Sequence, residues 1–126
     1  MTRATLILRA YIELIAHDLF MSQHNFESLH QRIRNFPVRH VGSNTSTRED
    51  VTLALNVACC FYPKRVLCLQ RSAVFVRMLR AKGITASMVI GAQKVPFVAH
   101  AWVEVGGDII NDRQASRERF LVLEVC

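Results

Sequence analysis

Apolar residues recur at helical intervals through the first two thirds of the chain and then alternate as in strands. Residues 4–21 read as a first helix on which Arg9, Glu13 and His17, four apart, form one polar stripe on an otherwise apolar surface. Such a helix suits docking onto a protein core or a partner. Its apolar run is interrupted by Arg9, Glu13, His17 and Asp18 and falls short of the ~20 residues needed to span a bilayer, so no transmembrane segment is expected. Phe26, Leu29, Ile33 and Phe36 mark a second helix that Pro37 ends. A polar stretch, Gly42 to Thr47, separates this helical arm from the rest of the chain. Ser46 with Glu49 is a capping-box pattern opening a third, largely buried helix through Val51, Leu53, Leu55, Val57 and Ala58, and Pro63 closes it.

Cys68 opens a fourth helix. Leu69, Ala73, Val76 and Leu79 fall on its apolar face, Arg71, Arg77, Arg80 and Lys82 face elsewhere, and Gly83 suits its C-terminal end. The period then changes to that of strands over Ile84 to Ile90, Val98 to Val105, Ile109–Ile110 and Phe120 to Val125, with Gly106-Gly107 as a two-residue hairpin turn. Helices first and an antiparallel sheet after predict an α+β fold. One domain over residues 1–126 is expected, with a helical arm at 1–45 and a core at 46–126.

Composition narrows the function classes. The chain has 126 residues, 51% of them hydrophobic, with a net charge of +6. It is too small for a catalytic module plus a separate recognition module, so recognition it lacks must come from a partner. The positive charge is scattered over several elements and favours encounter with acidic partners. Without a basic run, an RNA-binding motif or zinc-finger spacing, nucleic acid is not the expected partner, and a peptide with an acidic region serves as well. Four cysteines, Cys59, Cys60, Cys68 and Cys126, show no regular pairing and follow no secretory signal, which reads as reduced thiols in a cytoplasmic protein. Their spacing also argues against a zinc site.

Three residues stand in the order that thiol-based acyl-transfer chemistry needs. Cys68 lies at a helix start, His100 in an alternating apolar segment, and Asp112 beside a turn. A thiol is a strong nucleophile only as the thiolate, which a helix N-terminus and a neighbouring imidazole favour. The imidazole must be held in one tautomer by a third group, commonly Asp or Asn. Across the Gly106-Gly107 hairpin, His100 and Asp112 are expected nearly opposite one another, within about 5 Å, with the Cys68 helix packed on the face from which His100 points. Each residue has a plainer reading: Cys68 as a small buried hydrophobe, His100 as a polar strand residue, Asp112 as a turn residue after Asn111. It is their combination that points to chemistry. Trp102, on the same strand face as His100, shields the site or fills the core.

The stretch CLQRSAVFVRMLRAKGITASMVIGAQKVPFVAHAWVEVGGDIIND, residues 68–112, resembles the transglutaminase-like protease domain of lasso-peptide maturation proteins. The likeness lies in the C-L-x-R-S helix start, the K-G-I turn, V-I-G, the P-F-x-A-H-A-W-V-E segment and the closing N-D, in that order. It implies a transglutaminase-like, papain-like cysteine protease core that uses no cofactor or metal, with Cys68 as nucleophile, His100 as general acid and base, and Asp112 as the orienting residue. It further implies removal of the leader from a ribosomally made lasso-peptide precursor before a cyclase closes the ring. The first 45 residues are too few and too helical for the leader-binding domain that many members carry. A split form is therefore expected, whose partners are the precursor peptide, a separate leader-binding protein and, as a further candidate, the lasso cyclase. Related thiol proteases often draw an oxyanion donor from a Gln upstream of the nucleophile. None lies between Gln31 and Cys68, so the Cys68 backbone N–H is the expected donor and a second is unassigned. An amide-transferring enzyme of the same class and a non-catalytic peptide-binding module remain open alternatives.

Overall fold

The computed structural model describes residues 3–38, 48–94, 97–111 and 120–126. Four helices come first: α1 (Arg3–Gln23), α2 (Phe26–Arg34), α3 (Arg48–Cys60) and α4 (Cys68–Ala81). Four strands follow: β1 (Ala86–Lys94), β2 (Phe97–Val105), β3 (Asp108–Ile109) and β4 (Leu121–Val125). They form one sheet in the order β3-β2-β1-β4 with every pairing antiparallel. This is the α+β plan of helices followed by an antiparallel sheet.

Local chemistry sets the boundaries. Asn25 caps α2, its side-chain oxygen accepting the Ser28 N–H at 2.9 Å. The helix ends at Arg34, short of Pro37, because the residue before a proline is disfavoured in the α region. Glu49 and Asp50 occupy the first turn of α3; Gly42 to Thr47, and with them the Ser46 half of the capping box, lie outside the described residues. At the end of α4, Gly83 has φ 83°, the Gly83 N–H donates to the Arg80 carbonyl at 3.0 Å, and the Ile84 N–H donates to the Leu79 carbonyl at 3.0 Å. That is the Schellman pattern, and it assigns Ile84 to the helix end, so β1 starts at Ala86 rather than at Ile84. Gly106 and Gly107, with φ 61° and 86°, supply the two positive values that the tight turn between β2 and β3 requires.

One apolar cluster draws on all four helices and on β1 and β2, with Leu14, Leu29, Leu55, Phe75, Met88 and Val103 among its members. Along β2, Ala101 and Val103 face this cluster, while Trp102 turns to the other side of the sheet and packs with Val89, Ile109 and Phe120.

The structure decides which face of α1 is buried, and it overturns the outward placing of the α4 arginines. The polar stripe of α1 points inward: Glu13 and His17 are buried, whereas Leu8, Ile12, Ile15 and Leu19 are 59%, 53%, 41% and 65% exposed. Glu13 accepts from Arg77 Nε at 2.8 Å and from Arg9 Nε at 3.4 Å, so its charge is compensated where it is buried. Arg77 and Arg80 also do more than face away from the core. Arg80 is buried and donates to the Ala86 carbonyl at 2.9 Å and the Phe36 carbonyl at 3.0 Å, fastening the end of α4 to β1 and to the segment after α2. Among the described residues no helix is long and apolar enough to cross a membrane.

Candidate active site

Cys68 is the first residue of α4, half-buried. The preceding Leu67 is extended (φ −87°, ψ 171°) and provides no side-chain cap, and no acidic residue sits in the first turn. The leading N–H groups of α4 therefore face forward without a side-chain acceptor of the capping kind, and the positive end of the helix dipole lies at the thiol. Cys68 and His100 line one small cavity of about 90 Å³, completed by Phe26, Leu69, Ile90, Ala99 and Ala101. Its wall is otherwise apolar, which strengthens any electrostatic interaction made inside it.

His100 lies opposite Gly91 in the β1–β2 ladder. Its ring stands 5.5 Å from the Phe120 ring and 6.1 Å from that of Trp102, centroid to centroid. The α4-covered face of β2 is instead the one bearing Ala101 and Val103, so the His100 ring lies on the Trp102 side of the strand and not on the helix-covered face expected for it. Trp102 is fully buried, and its indole N–H donates to Glu104 at 2.9 Å. Gly91 makes room for this stack: a Cβ there would lie 2.7 Å from Phe120 Cβ and 2.9 Å from the Trp102 ring.

A family model for the transglutaminase-like superfamily matches residues 16–125. The chain belongs to that superfamily. Microcin J25-processing protein McjB of Escherichia coli is 43% identical over 56 residues, which cover 44% of this chain and 27% of that protein. The chain thus spans about a quarter of the length of this curated relative. A solved structure from Cytophaga hutchinsonii, provisionally described as a cysteine protease, aligns over 98% of this chain and 42% of its own with 18% identity and a TM-score of 0.38.

In this transglutaminase-like domain Asp112, the expected orienting residue, lies outside the described residues. Its neighbour Asn111 is described, and sequence reasoning passed it over. Asn111 Oδ1 accepts the Val103 N–H at 2.7 Å, and its Nδ2 donates to Ser72 Oγ at 3.4 Å. The side chain thereby replaces a strand hydrogen bond to β2 and ties the chain leading into position 112 to α4, one turn below Cys68. The detectable signal was an Asn beside a turn, a residue type that mimics backbone pairing. Gln70 is turned away from the cavity and buried, donating to the Leu14 carbonyl at 3.1 Å. It holds α1 to α4. The other cysteines are in different settings: Cys60 is exposed, and burial pushes the thiols of Cys59 and Cys126 up from their ordinary value.

Proposed function

We propose that the chain is a cysteine peptidase that removes the leader peptide from a lasso-peptide precursor before a partner cyclase forms the macrolactam, with Cys68, His100 and Asp112 as its triad. The observation that carries this reading is that Cys68, at the uncapped start of α4, and His100 both line a single apolar cavity. The match to a microcin-processing protein supports the substrate class.

In the proposed reaction the Cys68 thiolate attacks the carbonyl carbon of the last leader residue, and the oxyanion is met by the Cys68 backbone N–H. The C–N bond breaks as His100 gives its proton to the leaving amine, which leaves as the new amino terminus of the core peptide. Water, deprotonated by His100, then hydrolyses the thioester, expelling the Cys68 thiolate beside the reprotonated His100, and the leader leaves as its carboxylate with one proton lost to solvent. Asp112 would hold the imidazole in the tautomer this cycle requires.

Separate proteins are expected to bring the substrate. The outward apolar stripe of α1 supports association with a leader-binding protein, and the cyclase is the natural recipient of the product.

The test is mass spectrometry of a lasso-type precursor incubated with the chain, with and without a leader-binding protein, using wild type and Cys68→Ala. Cleavage at the leader boundary by wild type alone, faster with the partner, is expected. Cleavage retained by Cys68→Ala removes the nucleophile assignment; equal rates with and without the partner remove the docking role.

A further inference from the structure

A second and larger cavity, of about 330 Å³, lies along α4 beyond the nucleophile. One wall comes from α4 itself, Arg71 and Phe75; the other comes from Thr52, Leu55 and Asn56 on α3, and Asn111 closes it. Cys68, Arg71 and Phe75 follow one another at intervals of three and four on a helix, so they lie along one side of α4. The cavity therefore starts about one helical turn from the thiol. Its size is that of a small ligand site, and its lining pairs an apolar floor, Leu55 and Phe75, with a polar set of Thr52, Asn56, Arg71 and Asn111.

Arg71 is the informative member. Its two fellow arginines on α4 are committed to the fold, Arg77 to the Glu13 carboxylate and Arg80 to the carbonyls of Ala86 and Phe36. Arg71 donates to the neutral Asn56 side-chain oxygen, and among the described residues no carboxylate forms an ion pair with it. Arg71 is half-buried as a residue, and its guanidinium, at the exposed mouth of the cavity with a neutral partner, keeps its positive potential for whatever enters there. Its planar fork matches a carboxylate, and the second N–H of the Asn111 amide can supply a further donor, while the Thr52 hydroxyl is spent on the Arg48 carbonyl at 2.8 Å.

We propose that this cavity is a substrate subsite that takes the carboxylate of an Asp or Glu side chain in the peptide. The site it serves is the Cys68 centre, so the assignment rests on the peptide-processing reading above. One helical turn corresponds to one or two residues of extended peptide, so the acidic side chain sits within about two residues of the scissile bond.

The experiment uses fluorescein-labelled synthetic peptides spanning a leader boundary, made in pairs that differ only by Glu against Gln at one of the two positions on either side. Binding to Cys68→Ala, Cys68→Ala/Arg71→Gln and Cys68→Ala/Arg71→Lys is read by fluorescence anisotropy, with a thermal melt of each protein to confirm folding. At one position the Glu peptide should bind the Arg71-bearing protein about 10- to 100-fold more tightly than its Gln twin. That preference should vanish in Arg71→Gln and survive in part in Arg71→Lys. A Glu-to-Gln ratio that is the same in the Arg71-bearing and Arg71→Gln proteins, or no preference at any position, overturns the proposal. Binding is measured without turnover, so failure of the peptidase reading shows separately, as absence of cleavage by the chain with Cys68 intact.

Discussion

Replacing Gly91 with Ala should damage both fold and site. Position 91 pairs with His100 across β1 and β2, and the added methyl would sit 2.7 Å from Phe120 Cβ and 2.9 Å from the Trp102 ring. Carbon atoms pack best at about 3.5–4.0 Å, so each contact is too close by about 1 Å. The Phe120 contact is the more severe, because a Cβ moves only with its backbone and no rotamer change relieves it. Overpacking of this kind costs about 1–3 kcal/mol, which for a domain of this size lowers Tm by about 4–12 °C. The rings that must move are the two that flank His100, and in its proposed role as acid and base a displacement of about 1 Å can cost as much as 100-fold. Thermal melts by circular dichroism and kcat/KM for precursor cleavage measure the two effects. Gly107→Ala is the control: its φ of 86° makes Ala strained, yet nothing lies within 4 Å of the new methyl, so it should lose stability and keep kcat/KM. Removing the outer part of the Trp102 ring should not rescue Gly91→Ala, since the contact with Phe120 Cβ persists. A Gly91→Ala chain that melts within about 1 °C of wild type and cleaves at the same rate would refute this account of the His100 environment.

Two further outcomes test the charged interior. Glu13→Gln leaves Arg77, whose side chain is 15% exposed, without its carboxylate, and should cost about 2–4 kcal/mol in urea unfolding; adding Arg77→Met should recover part of the loss, and a cost below about 0.5 kcal/mol would show the pair to be dispensable. Burial, then its hydrogen bond to Asp18, push the Tyr62 phenol up to about 12, so its contribution to stability is complete below the ordinary value near 10 and is lost as pH rises toward 12. Asp18 has the opposite sign: burial alone would raise its carboxyl, yet hydrogen bonds from Lys64, Tyr62 and Gln70 leave it lowered, so its contribution is present above about pH 4 and lost as pH falls further. In an absorbance titration the late phenolate should disappear in Tyr62→Phe and move earlier in Asp18→Asn; a Tyr62→Phe profile that keeps the late step would contradict the assignment.

Much of the fold was legible because each element announces itself locally. Helical spacing located all four helices, Gly83 marked the end of α4, and Gly106-Gly107 marked the turn between β2 and β3. The placing of Cys68 as the first residue of α4 was equally local. The features that the sequence did not disclose depend on partners far along the chain. Periodicity gives α1 two faces but does not say which is buried; Glu13 turns inward because Arg77, 64 positions away, brings the compensating charge. Arg71 carries no mark of a subsite until Thr52, Asn56 and Asn111 arrive from two other elements. Asn111 looked like a turn neighbour because its role, replacing a backbone acceptor for Val103, exists only after β2 and β3 have paired. The facing of His100 was misjudged for a related reason: alternation shows that it shares a side with Trp102, but which side α4 covers is decided by Ala101 and Val103.

The inverted polarity of α1 bears on how the domain works. Its inward face combines Leu6, Ala10 and Leu14 with Glu13 and His17, and its outward face carries Leu8, Ile12, Ile15 and Leu19. Rotating the helix to bury the outward set would expose the inward aliphatic residues and strip Arg77 of its counter-charge, so no rotation hides all the apolar surface. The four outward side chains are each about half exposed, which leaves on the order of 1 kcal/mol of burial unrealised at each position. A helix apolar on both sides is characteristic of one covered on both sides. Spacings of four, three and four along the outward residues match the seam by which one helix packs against another. The proposed cleavage at Cys68 gains nothing from that stripe directly. Its value under the proposed function lies in what it can hold: an unpaired apolar helix face is a surface on which a second protein can dock.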